Sequence, residues 1–247
     1  MKITIITVVY NAEKYLSDCI ESVLSQKYPA VEYILIDGQS TDASYQIAQQ
    51  YQSKISVLIS EPDKGMYDAL NKGIALATGE VIGILNADDL LADENVIAEV
   101  AETFKKTGTD AVYGDLNYVA PNDIAVIQRK WRSAPAKPRD LALGWMPAHP
   151  TLYLKAKVFS SFGNYKLQYG SAADYELMLR MLYKNKISTT YLPKLMVLMR
   201  NGGMSNQSVK HRYDALLHDY AALKQNKVTL PILALLLKKI RKVKQFF

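Results

Sequence analysis

Short apolar runs rich in β-branched residues alternate with amphipathic segments through the first hundred residues of the chain. The runs have the length of buried strands and lie at 2–9, 31–37, 55–60 and 80–86. The segments between and after them have helical spacing of apolar residues and lie at 13–26, 42–52, 66–77 and 93–106. This alternation predicts βαβ units and an α/β fold, with a mainly parallel central sheet and helices on both faces.

The regular alternation ends near residue 110. Further strand-like runs lie at 110–119, 124–131, 149–154 and 187–199. A loop rich in Pro and basic residues is expected at 133–140, and one strongly helical segment at 171–184. We therefore expect a second half with less regular β structure that packs on the first.

The composition indicates a folded protein without a membrane-spanning segment. The chain has 247 residues, of which 49% are hydrophobic, enough for a substantial core. No stretch approaches about 18 unbroken apolar residues, and the β-branched first run is too short for a signal peptide. We therefore expect a cytoplasmic protein. The single cysteine, Cys19, lies among apolar residues of the first helix, which indicates a core position.

The net charge of +6 is concentrated at the C terminus. Seven basic residues follow position 223 with no acidic residue among them, and without them 23 basic residues stand against 24 acidic ones. A nucleic-acid groove needs basic charge on the folded body. The distribution therefore argues against a nucleic-acid partner.

Two of the predicted strands end in acidic residues. Asp37 closes the second strand, and Asp88 and Asp89 follow the fourth. Such aspartates are often turn formers or helix caps. However, ligands of parallel sheets lie across the carboxyl ends of neighbouring strands, so two acidic ends predict one shared crevice. The chain has no Gly-rich phosphate loop, which disfavours an NAD enzyme or an NTPase and leaves a hard divalent cation to meet phosphate charge.

Six short motifs occur in the order and spacing of one enzyme family. They are 7–13 (TVVYNAE), 22–26 (SVLSQ), 36–42 (IDGQSTD), 61–65 (EPDKG), 71–80 (NKGIALATGE) and 85–89 (LNADD). Together they resemble family 2 of the nucleotide-sugar glycosyltransferases, which are inverting enzymes with the GT-A fold. The resemblance implies a glycosyltransferase domain over 1–205, with a nucleotide-sugar-binding half at 1–115 and an acceptor half at 116–205. C-terminal helices are expected over 206–247.

The resemblance implies that the end of the first strand and Asp37 hold the nucleoside of the donor. The contacts expected from the first strand are Thr7, Val9 and Tyr10. The Asp37 carboxylate would accept a hydrogen bond from the imide N–H of the base, although an aspartate before Gly38 also suits a turn.

Further donor contacts are expected from the start of the third helix, at Lys64 and Asp68. The alternative for this pair is ordinary surface charge. Many relatives have Ala-Arg-Asn where this chain has Ala69, Leu70 and Asn71, so an arginine contact is missing and Lys64 is a candidate to replace it.

The motif at 85–89 implies the metal site. Asp88 matches the metal-binding aspartate of the family, and Asp89 would be a second ligand or a sugar contact. Asn86 stands at the first acidic position, and with Ala87 it is expected to face the donor without adding charge. The expected cofactor is Mg²⁺ or Mn²⁺, which would neutralise the departing diphosphate.

The segment 170–180 resembles the element that supplies the catalytic base of the family. Asp174 is the matching residue, while Ala173 stands where many members have Glu. An inverting transfer needs a carboxylate to take the proton of the acceptor hydroxyl. The alternative for Asp174 is a helix cap, and both roles are compatible.

Three further sites are less specific. His149 is expected to contact the acceptor or the metal, although a lone histidine in an apolar stretch is more often structural. Arg200 begins a Gly-containing loop, 200–205, that either closes over the diphosphate or is a plain turn. His211 and His218 are expected on the surface.

The last segment of the chain predicts a basic amphipathic helix. Its apolar side is expected to contain Leu233, Leu236, Leu237, Ile240, Val243 and Phe247. Its basic residues are mostly elsewhere. This pattern resembles an interfacial helix held at an anionic membrane surface. The alternative is a helix packed on the body or on a second subunit.

The combined expectation is an inverting, metal-dependent enzyme that transfers a sugar from a nucleoside-diphosphate donor, expected to be a UDP-sugar, to a membrane-linked saccharide. It would act at the inner face of the cytoplasmic membrane in exopolysaccharide, capsule or lipopolysaccharide synthesis. Two alternatives stay open. One is transfer to a polyprenyl phosphate, and the other is a non-catalytic nucleotide-sugar-binding subunit.

Overall fold

The structure is a computed structural model that describes residues 1–135, 137–202 and 209–243. Its strands are β1 (Ile3–Val9), β2 (Val31–Asp37), β3 (Val57–Ser60), β4 (Val81–Ile84), β5 (Leu90–Leu91), β6 (Ala111–Ala120), β7 (Asp123–Trp131), β8 (Tyr153–Lys155) and β9 (Thr189–Arg200). Its α-helices are α1 (Leu16–Leu24), α2 (Ser44–Gln50), α3 (Met66–Leu76), α4 (Val96–Thr107), α5 (Pro138–Ala142), α6 (Ala156–Phe162), α7 (Ala173–Met178), α8 (Val209–Gln225) and α9 (Pro231–Val243).

Within the described ranges, all nine strands belong to one sheet. Their order is β3-β2-β1-β4-β8-β6-β9-β5, with β7 paired to β6. The pairs β1–β2, β1–β4, β2–β3 and β6–β9 are parallel. Because β8 is antiparallel to both β4 and β6, β6 runs in the same direction as β4. The carboxyl ends of β1, β2, β4, β6 and β9 therefore lie at one edge of the sheet.

The sheet has helices on both faces, and the predicted α/β fold is confirmed. On one face α1, α2 and α4 pack through residues such as Leu16, Ala48 and Val100. On the other face α3, α6, α7 and α8 pack through residues such as Leu70 and Leu177. A strand covered on both sides must be apolar throughout, and all seven residues of β1 are buried.

Cys19 lies in the core, as predicted. Its side chain is fully buried on the inner side of α1, and burial raises the pKa of the thiol. A buried thiol that stays protonated is a weak nucleophile. Cys19 is therefore a packing residue.

Several elements differ from the sequence expectation. The two-residue strand β5 and the short helices α5 and α6 were not predicted. The segment predicted as one helix at 171–184 begins as α7 and continues as a π-helical turn over Leu179–Lys184. The expected boundary between the halves, at 115 and 116, falls inside β6, so the two halves share one continuous sheet.

The C-terminal helices pack on the body and also expose apolar side chains. On α9, Ala234 is buried, and Lys238 forms an ion pair with Asp219 at 2.7 Å, while Ile232 is 66% exposed. Among the side chains of this helix that the structure describes, the other exposed apolar ones are Leu233, Leu236 and Ile240. Packing on the body and an accessible apolar side therefore coexist on one helix.

Some C-terminal expectations fall elsewhere or cannot be placed. His218 is partly buried against Gly170, which corrects its expected surface position. The side chains of His211 and Val243, the end of the loop at Ser205, and Phe247 lie outside the described residues. In the part of the chain that the structure describes, no helix has the length and apolar character needed to cross a bilayer.

Candidate active site

The ends of β1 and β2 form the first part of the acidic edge. The main-chain oxygen of Val9 accepts a hydrogen bond from Gly38 at 2.8 Å, while the Val9 side chain is buried. The loop after β1 is joined to the loop after β2, because Asn11 Oδ1 accepts from the N–H of Thr41 at 2.9 Å. Tyr10 lies at the tip and is 59% exposed. Of the residues predicted on this strand, Tyr10 is therefore the accessible one.

Thr7 faces the core rather than the edge. Its side chain is fully buried, and its hydroxyl lies 3.1 Å from the hydroxyl of Tyr33 and 3.9 Å from the sulfur of Cys19. The Thr7 side chain is therefore not available for the predicted contact between Thr7 and the donor.

Asp37 organises the turn after β2. Its Oδ1 accepts from the Ser40 hydroxyl at 2.5 Å, and its Oδ2 accepts from the Ser60 hydroxyl at 2.6 Å and from the Ser40 N–H at 3.1 Å. The side chain is fully buried. The turn-forming role is thus present, and a contact with the base stays a prediction.

The start of α3 faces the turn after β2. A Cβ atom at Gly38 would collide with the carboxylate of Asp63, so a larger residue there would displace the Asp63 side chain. Asp68 is in the first turn of α3, and its Oδ2 accepts from the main-chain N–H of Lys64 at 3.0 Å. The Lys64 side chain is exposed. Asp68 therefore shapes the helix start, and Lys64 is accessible to a ligand.

The acidic pair after β4 divides into one buried and one accessible carboxylate. Asp89 is fully buried and accepts from the amide of Asn86 at 2.8 Å and from the N–H of Arg200 at 3.3 Å. Burial, and then the neighbouring charge of Asp88, raises the pKa of Asp89 well above its usual range. Asp88 is partly exposed, and the buried Ala87 separates it from Asn86.

Arg200 lies beneath this pair. Its guanidinium donates to the main-chain oxygen of Asp88 at 3.0 Å and to the carboxylate of Asp18 at 2.5 Å, and it covers the ring of Tyr15 at 4.5 Å. Burial raises the pKa of Asp88, and the charge of Arg200 opposes this rise. The guanidinium thus supports the acidic edge from inside, beside a cavity of about 410 Å³ at the start of α1.

A divalent cation fits this edge if the protein supplies few of its ligands. In residues 1–135, 137–202 and 209–243, no three His, Cys, Asp or Glu side chains are grouped closely enough to hold a metal ion. Mg²⁺ usually keeps several waters and takes one or two carboxylates with substrate phosphates. Asp88 meets this requirement, since a cation would favour the ionised form that burial disfavours. The buried Asp89 is not placed as a direct ligand, which corrects that part of the prediction.

Asp174 is at the start of α7 and is partly exposed. Its Oδ1 accepts from the main-chain N–H of Tyr175 at 2.6 Å. The neighbouring Ala173 is fully buried. The N-cap of α7 is Ala172, without a side-chain cap bond, so the alternative of a helix cap at Asp174 is not borne out. The Asp174 carboxylate lies within the first turn and remains accessible.

An aromatic cluster surrounds Asp174 that the sequence did not predict. His149 Nε2 lies 2.7 Å from the hydroxyl of Tyr165, and the ring of Tyr165 packs on that of Tyr67 at 5.3 Å. Burial raises the pKa of both tyrosines, and the charge of Asp174 adds to the effect. Burial also lowers the pKa of His149, against the opposing influence of Asp174. Burial therefore favours the neutral form of the His149 ring.

Tyr118, on β6, is influenced by acidic residues from two elements, the loop after β4 and the start of α7. Burial raises the pKa of its hydroxyl, and the charges of Asp89 and Asp174 both add to this rise, while Arg129 opposes it. The charges of both carboxylates thus act on the pKa of one tyrosine, although they come from opposite halves of the chain. Tyr118 therefore makes the acidic edge after β4 and the start of α7 candidates for one shared site.

Comparisons with known proteins agree with this geometry. The model of glycosyl transferase family 2 matches residues 4–159. A PGL/p-HBAD biosynthesis glycosyltransferase of Mycobacterium bovis is 28% identical over 215 residues, which cover 85% of this chain and 81% of the relative. Glycosyltransferase GlyG of Streptococcus pneumoniae is 35% identical over 116 residues, which cover 46% of this chain and 38% of that protein.

Two solved structures have a similar fold. TarS residues 1–349 of S. aureus, in complex with UDP-GlcNAc, has a TM-score of 0.72 at 19% identity, and the match covers 91% of this chain and 66% of that one. Mannosyltransferase PcManGT of Pyrobaculum calidifontis, in complex with GDP-Man and Mn²⁺, has a TM-score of 0.66 at 17% identity, with 91% and 63% covered. The chain thus spans slightly less than two thirds of each, and the likeness shows the fold.

Proposed function

The chain belongs to glycosyltransferase family 2, and we propose that it is an inverting enzyme that transfers a sugar from a nucleoside-diphosphate donor to a membrane-linked saccharide. One observation carries this proposal. Asp88 and Asp174 are both partly exposed, and the charges of Asp174 and of Asp89, the neighbour of Asp88, both act on the hydroxyl of Tyr118. An inverting transfer needs a carboxylate for the acceptor and a second acidic group for the diphosphate.

Asp174 would act on the acceptor. The hydroxyl oxygen of the acceptor attacks the anomeric carbon, its proton passes to the Asp174 carboxylate, and the bond between the anomeric carbon and the phosphate oxygen breaks. The bonding electrons leave with the nucleoside diphosphate. Attack opposite to the leaving group inverts the anomeric centre. The hydrogen bond from Tyr175 leaves Asp174 accessible, which supports this role.

Asp88 would hold the cation. Mg²⁺ or Mn²⁺, when bound, supplies positive charge that stabilises the departing diphosphate. Asp89 and Arg200 support Asp88 from inside: Asp89 is bonded to Asn86 and to the N–H of Arg200, and the guanidinium of Arg200 holds the Asp88 main chain. We assign Asp89 and Arg200 to support of the loop rather than to direct ligation.

The nucleoside would lie beside the exposed Tyr10 and the start of α3, where Lys64 is accessible. We propose a UDP-sugar as the donor, since the solved structure with the higher TM-score of the two above contains UDP-GlcNAc. The second structure contains GDP-Man, so a GDP-sugar is the competing donor. The pathway that we propose is assembly of a bacterial exopolysaccharide, capsule or lipopolysaccharide.

The exposed side of α9 supports a membrane-linked acceptor. Ile232, Leu236 and Ile240 are spaced by four residues and are all exposed, and Lys239 and Arg241 lie beside them. Burial of such a side in the lipid interface, together with attraction of the lysines and arginines to anionic lipid, would hold the protein on the inner face of the cytoplasmic membrane.

A vesicle experiment tests the membrane contact. The wild type is expected to sediment with phosphatidylglycerol-containing vesicles, and the triple change Ile232→Ser, Leu236→Ser, Ile240→Ser to remain in the supernatant. The matched control changes three exposed apolar residues of β7, Ile124→Ser, Val126→Ser and Ile127→Ser, and should still sediment. Equal binding by both triple variants would remove the assignment to α9.

A transfer assay tests the activity. Purified protein with Mn²⁺ is incubated with UDP-sugars and GDP-sugars in vesicles that contain polyprenyl phosphate or a polyprenyl-diphosphate-linked monosaccharide. We expect release of nucleoside diphosphate and an extended saccharide, with product formed at least about 100-fold more slowly by Asp174→Asn. Transfer to polyprenyl phosphate alone would favour the first alternative. Donor binding without release of nucleoside diphosphate in any mixture would favour the non-catalytic subunit.

A further inference from the structure

The loop after α5 holds α9 against the body of the protein. Gly144 is buried there, and a Cβ atom at this position would lie 2.3 Å from the main-chain oxygen of Ala234. Its φ of +76° also favours glycine. On the next turn of α9, Arg241 Nε donates to the main-chain oxygen of Leu143 at 3.2 Å. These contacts fix which side of α9 faces the body.

Lys238 lies on the side of α9 that faces the body. Its ammonium group forms an ion pair with Asp219 of α8 at 2.7 Å and lies 3.6 Å from the centre of the Tyr175 ring. The second distance is well within the about 6 Å limit of a cation–π contact. Lysines of a helix at a lipid interface ordinarily extend the ammonium group into water. The Lys238 side chain, which is 26% exposed, instead joins α9 to α7 and α8.

Tyr175 connects Lys238 to the proposed base. Its side chain is buried, and in the part of the chain that the structure describes its hydroxyl has no hydrogen-bond partner. Packing and the Lys238 ammonium group therefore hold the ring. The main-chain N–H of Tyr175 donates to Asp174 Oδ1 at 2.6 Å. The direction of the Asp174 carboxylate thus depends on the position of Tyr175.

The start of α7 has little local structure to fix it. The helix has six residues, and its N-cap, Ala172, makes no side-chain cap bond. Two residues earlier, Gly170 has a φ of 45° and a ψ of −128°, so the preceding chain does not continue the helix. An uncapped first turn depends on tertiary contacts for its position. The contact between Lys238 and Tyr175 is one of them.

We propose that Lys238 is a positioning residue for Asp174. Its ammonium group holds the Tyr175 ring, the ring sets the first turn of α7, and this turn directs the carboxylate toward the acceptor. The inference rests on the proposed function of Asp174 as the base. Because Ile232 and Ile240 of the same helix are exposed, the helix proposed to contact the membrane also positions the base.

The test measures transfer by Lys238→Met to a polyprenyl-diphosphate-linked monosaccharide in phosphatidylglycerol-containing vesicles. Met keeps an apolar stem and removes the charge. We expect kcat to fall about 10-fold, as for a misplaced catalytic group, with the donor KM unchanged. Lys238→Arg should restore kcat to within about threefold of wild type, because a guanidinium group also pairs with carboxylates and stacks on aromatic rings. A lysine that only anchors α9 would change the melting temperature or vesicle binding and leave the kcat of the bound enzyme unchanged.

The matched control is Lys194→Met. Lys194 is also a largely buried, ion-paired lysine, 15% exposed and 2.9 Å from Asp93, but it lies on β9 away from α7. This change should leave kcat unchanged. A second reference is Tyr175→Leu, which removes the ring and keeps the N–H that donates to Asp174. If Lys238 acts through the ring, adding Lys238→Met to Tyr175→Leu causes no further loss.

The outcomes separate this inference from the proposed function. An active wild type, a slow Asp174→Asn and a Lys238→Met with kcat within about twofold of wild type would overturn the positioning role and leave the enzyme assignment intact. An equal loss from Lys238→Met with and without the Tyr175 ring would also overturn it, as would a Lys238→Arg no faster than Lys238→Met. A wild type that transfers no sugar overturns the proposed function, and the role of Lys238 with it.

Discussion

Arg200 donates through Nη1 to the main-chain oxygen of Asp88 at 3.0 Å, although 112 positions separate the two residues. The end of β9 thereby supports the loop after β4. The charge of the guanidinium also acts against the rise in pKa that burial causes at Asp88 and Asp89. The Arg200 side chain thus holds the loop after β4 in place and also favours the ionised forms of Asp88 and Asp89.

Arg200→Met should weaken the site without removing any proposed ligand. We expect the kcat/KM for the donor to fall about 10- to 100-fold, equivalent to the roughly 1.5–3 kcal/mol of a hydrogen bond to a charged group. Loss of the positive charge raises the pKa of Asp88, so the acidic limb of the activity profile should move to higher pH. The exposed Arg139→Met is the control. An unchanged profile would argue against this electrostatic role.

Asp174→Asn should separate catalysis from folding. Asn keeps an oxygen that can accept from the N–H of Tyr175, so the melting temperature should stay within about 1 °C, while loss of the base lowers kcat roughly 10²- to 10⁴-fold. The donor KM should not change. Asp140→Asn is the matched control, because Asp140 also accepts a main-chain N–H at a helix start, that of α5. Turnover retained in Asp174→Asn would point to a phosphate acceptor.

Mn²⁺ should stabilise the protein in the presence of UDP, through Asp88. At a concentration tenfold above Kd, binding adds about 1.4 kcal/mol, or roughly 3 °C in melting temperature. The cation needs the ionised carboxylate, and burial raises the pKa of Asp88, so the shift should be larger at pH 8 than at pH 5.5. UDP alone is the control, and chelation should abolish transfer. An equal shift in Asp88→Asn would place the cation elsewhere.

Glu32 should stabilise the fold at neutral pH, away from the site. It accepts from Thr4 at 2.6 Å, from the Thr78 N–H at 2.8 Å and from Lys2 at 2.8 Å. Burial acts to raise its pKa, but these hydrogen bonds prevail and lower it to about 2. This stability is present above the ordinary glutamate pKa and is lost as the pH falls through the folded value.

Glu32→Gln is therefore expected to lower the free energy of unfolding by about 3 kcal/mol at pH 7. The measurement is urea unfolding of both proteins from pH 7 to pH 2. The difference between them should shrink as the pH falls below about 4. A difference that does not depend on pH would mean that packing, and not the carboxylate charge, carries the effect.

The parts of the fold that depend on periodicity could be predicted from the sequence. The strand predicted at 31–37 occurs with those bounds, and the helix predicted at 66–77 ends one residue earlier. Both are long and strongly patterned. The two-residue β5 is too short to show a period in the sequence. It is defined by its pairing with β9, which joins residues such as Leu90 and Leu198 from distant parts of the chain.

The residue types of the site were predictable, but not the directions of their side chains. Asp88 and Asp89 are equivalent in the motif, yet one is partly exposed and the other is buried, because Asn86 and Arg200 hold Asp89 inside. Thr7 likewise turns toward Tyr33. Such orientations depend on neighbours that meet only in the folded chain.

The aromatic cluster around Asp174 had no local signal. Tyr67, His149 and Tyr165 come from α3, from the turn before β8 and from the segment before α7. Tyrosines are frequent in this chain, 17 in all, so none of these positions is distinctive by its residue type. Only the tertiary packing identifies which tyrosines meet.

The uncovered apolar residues of α9 have a practical consequence for the purified protein. In buffer without lipid or detergent, these side chains are expected to be buried by association between copies of the chain. A sedimentation or gel-filtration measurement under those conditions would then report adhesion between the helices, and not the stoichiometry of the working enzyme. That stoichiometry should be determined in nanodiscs or micelles, where lipid covers Ile232 and its neighbours.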